Sequence, residues 1–147
     1  MVKKEYQSPS GGLNAKGRAH EYKSFAGIPR KIMDHPDYQN LSDKAARLLL
    51  ELACQFRGKN NGDLTAAHSV LKKRGKAFNR QATISKMINE LIEARLIIKT
   101  REGRFTNPGA KCSLYAIAWQ PINECKGKDL EVKSTITAPR KFNSEGT

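Results

Sequence analysis

The most regular pattern of apolar and polar positions in the chain lies between Asn79 and Ala94. Ile84, Ile88 and Leu91 follow one another at helical spacing, which predicts an amphipathic helix with one buried face. Asn79 is placed to cap its first turn. The opposite face is small and polar over its first two turns, with one positive charge, and comprises Ala82, Ser85, Lys86, Asn89 and Glu93.

Two further helices are predicted nearer the N-terminus. Ser42 is a suitable N-cap for a scaffold helix, whose apolar stripe begins at Ala45 and extends to Phe56. A shorter helix is expected between Pro29 and Pro36. Proline suits the first position of a helix, and it disfavours helical backbone in the residue that precedes it.

The segment before the long helix predicts a supporting helix and a tight turn. Thr65 is expected to cap the supporting helix, and Gly75 is expected to end it. The cations at positions 72–74 would then lie at the negative end of the helix dipole. Residues 76–79 would connect the two helices, which gives a helix–turn–helix pattern.

Apolar and β-branched runs towards the end of the chain predict a β-hairpin. Residues 96–100 and 112–119 are expected to be its strands, and residues 101–111 form a loop that contains Gly and Pro. Residues 63–65 predict a short third strand beside the hairpin. The predicted fold class is therefore α+β, with a three-helix core, a β-hairpin and an extra short N-terminal helix.

The length of 147 residues favours one domain with tails. The ordered domain is expected to cover residues 25–124. Residues 1–24 are polar, basic and without apolar periodicity, so they predict a flexible arm that either contacts DNA or only improves solubility. Residues 125–147 mix charge with Ser and Thr and predict a flexible tail.

The charge of the chain indicates a polyanionic partner. The net charge is +13 and the pI is about 9.9. Residues 72–111 contain eleven Lys and Arg against three acids, which places +8 of that charge on the helix–turn–helix and hairpin. The alternative explanation of such a run is an ordinary solvated surface.

Other chemistry has little support in the sequence. The three cysteines have no paired or metal-like spacing, which favours reduced thiols and a cytoplasmic protein. The chain contains no apolar run long enough to cross a membrane and no common catalytic motif. The three histidines are isolated from one another. We therefore expect no enzyme activity, no metal and no cofactor.

The order of scaffold helix, short strand, two helices and hairpin resembles the winged helix–turn–helix superfamily over residues 28–119. The chain is also similar to small phage and mobile-element proteins, and in outline to the N-terminal DNA-binding domains of phage and plasmid replication initiators. That narrower resemblance rests on Ile28-Pro29-Arg30, Leu41-Ser42, Ala45-Ala46-Arg47, residues 58–63, Glu90-Leu91, Leu96-Ile97, residues 112–115 and Ala118-Trp119. The chain departs from the family at Ala94-Arg95, where many members have a glycine.

The resemblance implies that the second helix of the pair lies in the major groove and that the hairpin, or wing, contacts the backbone or minor groove. Lys86 or Arg80 can donate to guanine, and Gln81 or Asn89 can pair with adenine. Each could instead contact a phosphate, which positions the protein without specifying sequence. The expected DNA-binding residues are Lys72, Lys73, Arg74, Lys76, Arg80, Gln81, Ser85, Lys86, Asn89, Arg101 and Arg104.

These patterns favour a protein that binds double-stranded DNA with sequence preference. It would act as a transcriptional regulator or as a replication accessory of a phage or mobile element, either as a monomer or as a homodimer. An RNA-binding protein and a protein-interaction module with the same fold are the alternatives. No membrane or small-molecule partner is expected.

Overall fold

A computed structural model describes residues 24–104 and 110–142. Two one-turn 3-10 helices, Lys72–Arg74 and Lys76–Phe78, lie between the fourth and fifth α-helices. The described helices and strands, in chain order, are α1 (Arg30–Met33), α2 (Pro36–Gln39), α3 (Asp43–Gln55), β1 (Leu64–Thr65), α4 (His68–Leu71), α5 (Gln81–Glu93), β2 (Ile97–Arg101) and β3 (Leu114–Ile117).

The strands form one antiparallel sheet in the order β1-β3-β2. Leu64 of β1 lies opposite Tyr115, and Ile97 of β2 lies opposite Ile117. An isolated bridge between Arg104 and Lys111 extends the β2–β3 pairing beyond the strands. Helices combined with a small antiparallel sheet confirm the predicted α+β class.

The apolar faces of α3 and α5 form the centre of the core. Leu48, Leu49 and Leu52 of α3 are completely buried, and Ile84 and Leu91 of α5 lie in the same apolar cluster. Burying side chains of this size is the main favourable contribution to folding. The amphipathic spacing of both helices is confirmed.

A carboxylate from α5 binds the start of α3. The backbone N–H and the hydroxyl of Ser42 donate to the two carboxylate oxygens of Glu90, at 2.6 and 2.7 Å. The Ser42 hydroxyl oxygen also accepts from the Ala45 N–H at 3.2 Å, as predicted for the N-cap. A negative group at the positive end of α3 is electrostatically favourable. Glu90 therefore fixes α3 and α5 relative to each other.

The residues that cap the two ends of α5 differ from those expected. Arg80, rather than Asn79, is the N-cap residue, and it makes no side-chain capping hydrogen bond. At the other end Arg95 adopts a left-handed φ of 61°. The N–H groups of Arg95 and Leu96 donate to the carbonyls of Ile92 and Leu91, respectively. This is a Schellman cap, which arginine completes where glycine is usual.

The segment after the sheet does not behave as the predicted flexible tail up to residue 142. We call residues 122–142 the C-terminal strap. Its Glu131 N–H donates to the Thr100 carbonyl at 2.7 Å, and its Phe142 side chain is buried in the core. These contacts use backbone groups and isolated side chains, which leave no periodic pattern in the sequence. The predicted flexible arm, residues 1–24, lies outside the described residues except for Ser24.

Arg140 joins the strap to the C-terminal end of α5. Its Nη1 donates to the carbonyls of Ala94 and Arg95, each at 3.1 Å, and its Nη2 donates to Asp37 at 2.6 Å. Its guanidinium lies 4.1 Å from the centre of the Phe142 ring. A cation bonded to the last carbonyls of a helix satisfies groups that the helix itself leaves unpaired.

Asn61 is a buried polar residue that holds the end of β3. Its side-chain nitrogen lies 3.0 Å from each of three carbonyl oxygens, those of Ile117, Gln120 and Pro121. Its side-chain oxygen accepts from the Ile117 N–H. The following Gly62 has a φ of 122°, and a Cβ there would lie 2.9 Å from a methyl group of Leu130. No spacing in the sequence indicates that Asn61 organises this turn.

Replacing Glu90 with Ala should lower the free energy of unfolding by about 1–2 kcal/mol, because the Ser42 N–H loses a charged acceptor at a partly exposed site. Denaturant unfolding measures this change. Glu93→Ala is the matched control, since Glu93 is exposed on the same helix. Equal effects of the two substitutions would show that Glu90 does not connect the helices.

Candidate nucleic-acid interface

The connection between α4 and α5 is short and firmly held. The Thr65 hydroxyl accepts from the Ala67 N–H at 3.1 Å, and His68 Nε2 lies 2.7 Å from the Asn79 carbonyl oxygen. Gly75 has a φ of 151°, and a Cβ there would lie 3.0 Å from the Arg47 guanidinium. The supporting helix is one turn long and continues as a 3-10 helix, which is shorter than the sequence predicted. These contacts set the position of the start of α5.

The outward face of α5 contains the side chains that the resemblance implied for base recognition. All five of these residues are exposed, whereas Ile84 and Ile88 beneath them are buried. The exposed residues are Gln81, Ala82, Ser85, Lys86 and Asn89. The helix therefore presents amides, a hydroxyl and one ammonium group to solvent.

A groove of about 430 Å³ separates this face from the hairpin. Three neutral polar side chains of α5 line one wall, and Lys99, Glu102 and Ser113 line the other. Tyr115 contributes to the lining, and burial raises the pKa of its hydroxyl. The hydroxyl therefore keeps its proton at neutral pH. The α5 side chains along the groove are Gln81, Ser85 and Asn89.

Six of the cations expected to bind DNA are exposed and form no ion pair with any acid among the described residues. Five of them lie on the connection between α4 and α5 or on α5 itself, and the sixth follows β2. They are Lys72, Lys73, Lys76, Arg80, Lys86 and Arg104. Exposed cations that form no ion pair are the arrangement that attracts a polyanion.

Arg74 is placed differently from its neighbours. Its Nε donates to Glu51 at 2.8 Å, and this hydrogen bond and the nearby negative charge raise the pKa of Arg74. Arg47 lies 3.6 Å from the other oxygen of the same carboxylate. Glu51 is 8% exposed, so it is a nearly buried anion between two cations. Arg74 connects the 3-10 helix to α3, and its guanidinium is already occupied by a carboxylate.

Arg101 is also engaged within the protein. Its Nη2 donates to the Cys112 carbonyl at 2.7 Å, and its Nη1 donates to the Lys128 carbonyl at 2.9 Å. The side chain is half-buried between the two hairpin arms and the strap. Arg101 is therefore placed to brace the hairpin at the end of β2.

Two other cations of the hairpin are paired with acids. Lys99 lies 3.1 Å from Glu102, and Lys111 lies 2.8 Å from Asp129 of the strap. The hydrogen bond from Lys111 lowers the pKa of the Asp129 carboxyl, so that it is ionised at neutral pH. Residues 105–109 lie outside the described residues.

The sequence indicated which cations are exposed. It did not indicate which acids form ion pairs with the remaining cations. Glu51 lies four residues after Arg47, and this helical spacing is a signal for an ion pair. Asp129 gives no such signal, because it lies eighteen positions from Lys111 in the chain.

Comparison of the chain with known protein families, curated proteins and solved structures found no significant match. Within residues 24–104 and 110–142, no cluster of three His, Cys, Asp or Glu side chains could hold a metal ion. The helices of this part are all too short or too polar to cross a bilayer.

Proposed function

We propose that the protein binds duplex DNA through the outward face of α5 and the exposed cations around it. The observation that carries this proposal is the group of six cations without acid partners, next to a helix face of neutral polar side chains. Nucleic-acid phosphates supply the missing negative charge, and base edges supply partners for amide and hydroxyl groups.

In this proposal α5 enters the major groove. The groove of B-DNA is about 12 Å wide and admits one α-helix. Gln81 or Asn89 pairs with adenine, and Lys86 donates to the O6 and N7 atoms of guanine. Ser85 is small enough to allow close approach of the helix to the base edges. Sequence preference then arises from the neutral polar side chains of α5 together with Lys86.

Phosphate contacts come from the cations beside α5. Lys72, Lys73 and Lys76 lie on the 3-10 helices before α5, and Arg80 is at its N-cap. The backbone N–H groups at that end carry positive partial charge, which favours an adjacent phosphate. These residues fix the position of the protein on the duplex.

We interpret the arrangement as a winged helix–turn–helix. Its support is the order of elements, with α3 as scaffold, α4 and α5 as the helix pair, β1 beside β3, and β2–β3 as the wing. Arg104 follows β2 at the exposed side of the wing and suits the backbone or the minor groove. We propose that such a module acts as a transcriptional regulator or as a replication accessory of a mobile element.

Affinity for a duplex should depend strongly on salt. If about six cations meet phosphates, the slope of log K against log salt concentration should be about −5. Fluorescence anisotropy with a labelled duplex of mixed sequence measures it between 50 and 300 mM salt, a range of about sixfold. A slope near zero with binding intact would remove the electrostatic basis of the proposal.

Replacing Lys86 with Ala should cost about 1–3 kcal/mol of binding free energy on a preferred duplex and relax the preference at one base pair. The measurement compares affinities for the preferred duplex and its single-base variants. Lys133→Ala is the matched control, because Lys133 is an exposed lysine of the strap. A loss that is uniform across all duplexes would make Lys86 a phosphate contact instead.

A further inference from the structure

The C-terminal strap brings two acids to the loop end of the hairpin. The Asp129 carboxylate lies 2.8 Å from Lys111 Nζ, and the Glu131 carboxylate accepts the backbone N–H of Glu102 at 3.2 Å. Arg101 and Arg104 also lie close enough to lower the pKa of Asp129. One cation at this end of the hairpin is thus paired with a carboxylate that lies eighteen residues further along the chain.

The cations around the start of α5 have no comparable neutralisation. Within the described residues, no acid pairs with Lys72, Lys73 or Lys76. The proposed DNA surface therefore has two unequal halves. The cations around the start of α5 can contact phosphates directly. At the hairpin, a carboxylate is already paired with one of the cations.

From this arrangement we propose that Asp129 competes with a nucleic-acid phosphate for Lys111. The strap then restrains the hairpin half of the interface until a phosphate displaces the carboxylate. The inference rests on the proposed function and adds to it a regulatory contact within the same chain. A phosphate is a suitable competitor because it offers the ammonium group the same kind of charged oxygen acceptor.

The backbone around Asp129 is held on both sides. The Lys128 carbonyl accepts from Arg101, and the Glu131 N–H donates to the Thr100 carbonyl. Asp129 itself has a left-handed φ of 57°. The carboxylate is thus presented to Lys111 by a fixed loop, and the strap does not need to detach when the side chain is displaced.

The side chains themselves form an exchangeable pair. Asp129 is 71% exposed and Lys111 is 37% exposed. Ion pairs at such positions contribute little, because water and salt compete with them. Displacement of Asp129 therefore costs little, and affinity should depend measurably on whether Asp129 is charged.

Asp129→Asn tests the competition. Asparagine keeps the size of the side chain and tolerates left-handed backbone, so the loop is preserved. Lys111 then becomes available to phosphate. The affinity for duplex DNA should rise about two- to fivefold, the size expected for one exposed ion pair.

Two controls separate local competition from a general change in charge. Asp34→Asn adds the same charge at an exposed residue after α1, and it should change affinity less than Asp129→Asn. In a Lys111→Gln background, Asp129→Asn should raise affinity less than it does when Lys111 is present, because only the weaker interaction of Asp129 with Arg101 and Arg104 is then removed. Thermal unfolding of each variant, followed by circular dichroism, verifies that the strap and the body remain folded.

An equal gain with and without Lys111 would overturn the competition, as would an unchanged or lower affinity of folded Asp129→Asn. Either result leaves the proposed function intact, because the wild-type protein still binds DNA. Failure of the wild-type protein to bind duplex DNA at low salt would overturn both proposals.

Discussion

The packing of α5 against α3 is the constraint on which the remaining structure depends. Ile84, Ile88 and Leu91 must face the core, and this requirement alone determines which residues of α5 face solvent. Glu90 adds a directional contact, since both of its oxygens bind Ser42, the N-cap of α3. Rotation of α5 would break that contact and bury polar side chains. The outward amides and the single lysine of α5 are therefore displayed in one fixed orientation.

The sequence predicted the elements whose side chains repeat at regular spacing. α3, α5 and the β-hairpin follow from apolar periodicity, and Ser42 follows from the chemistry of helix capping. Exposure of the α5 face follows from the same periodicity, because the face opposite a buried stripe meets water. The length of α4 could not be predicted from the sequence, because three cations followed by a glycine are equally compatible with an α-helix and a 3-10 helix.

The remaining features depend on contacts between residues that are distant in the chain. Asn61 binds carbonyls about sixty positions away, and Arg140 binds the end of α5 across more than forty. The ion pairs of Arg74 and Lys111 arise in the same way. Single polar residues of this kind have no spacing from which a partner can be predicted. The charge count of residues 72–111 consequently overstated the number of cations that are free to bind DNA.

Amide chemical shifts of isotope-labelled protein, recorded as duplex DNA is added, test the central claim most directly. The account predicts that the largest changes occur at residues 72–89 and at Arg104, with little change along α1 and α2. Changes confined to the apolar groove that Phe25, Phe56 and Trp119 line would contradict it. A spectrum that stays unchanged when excess DNA is added at low salt would also contradict the account.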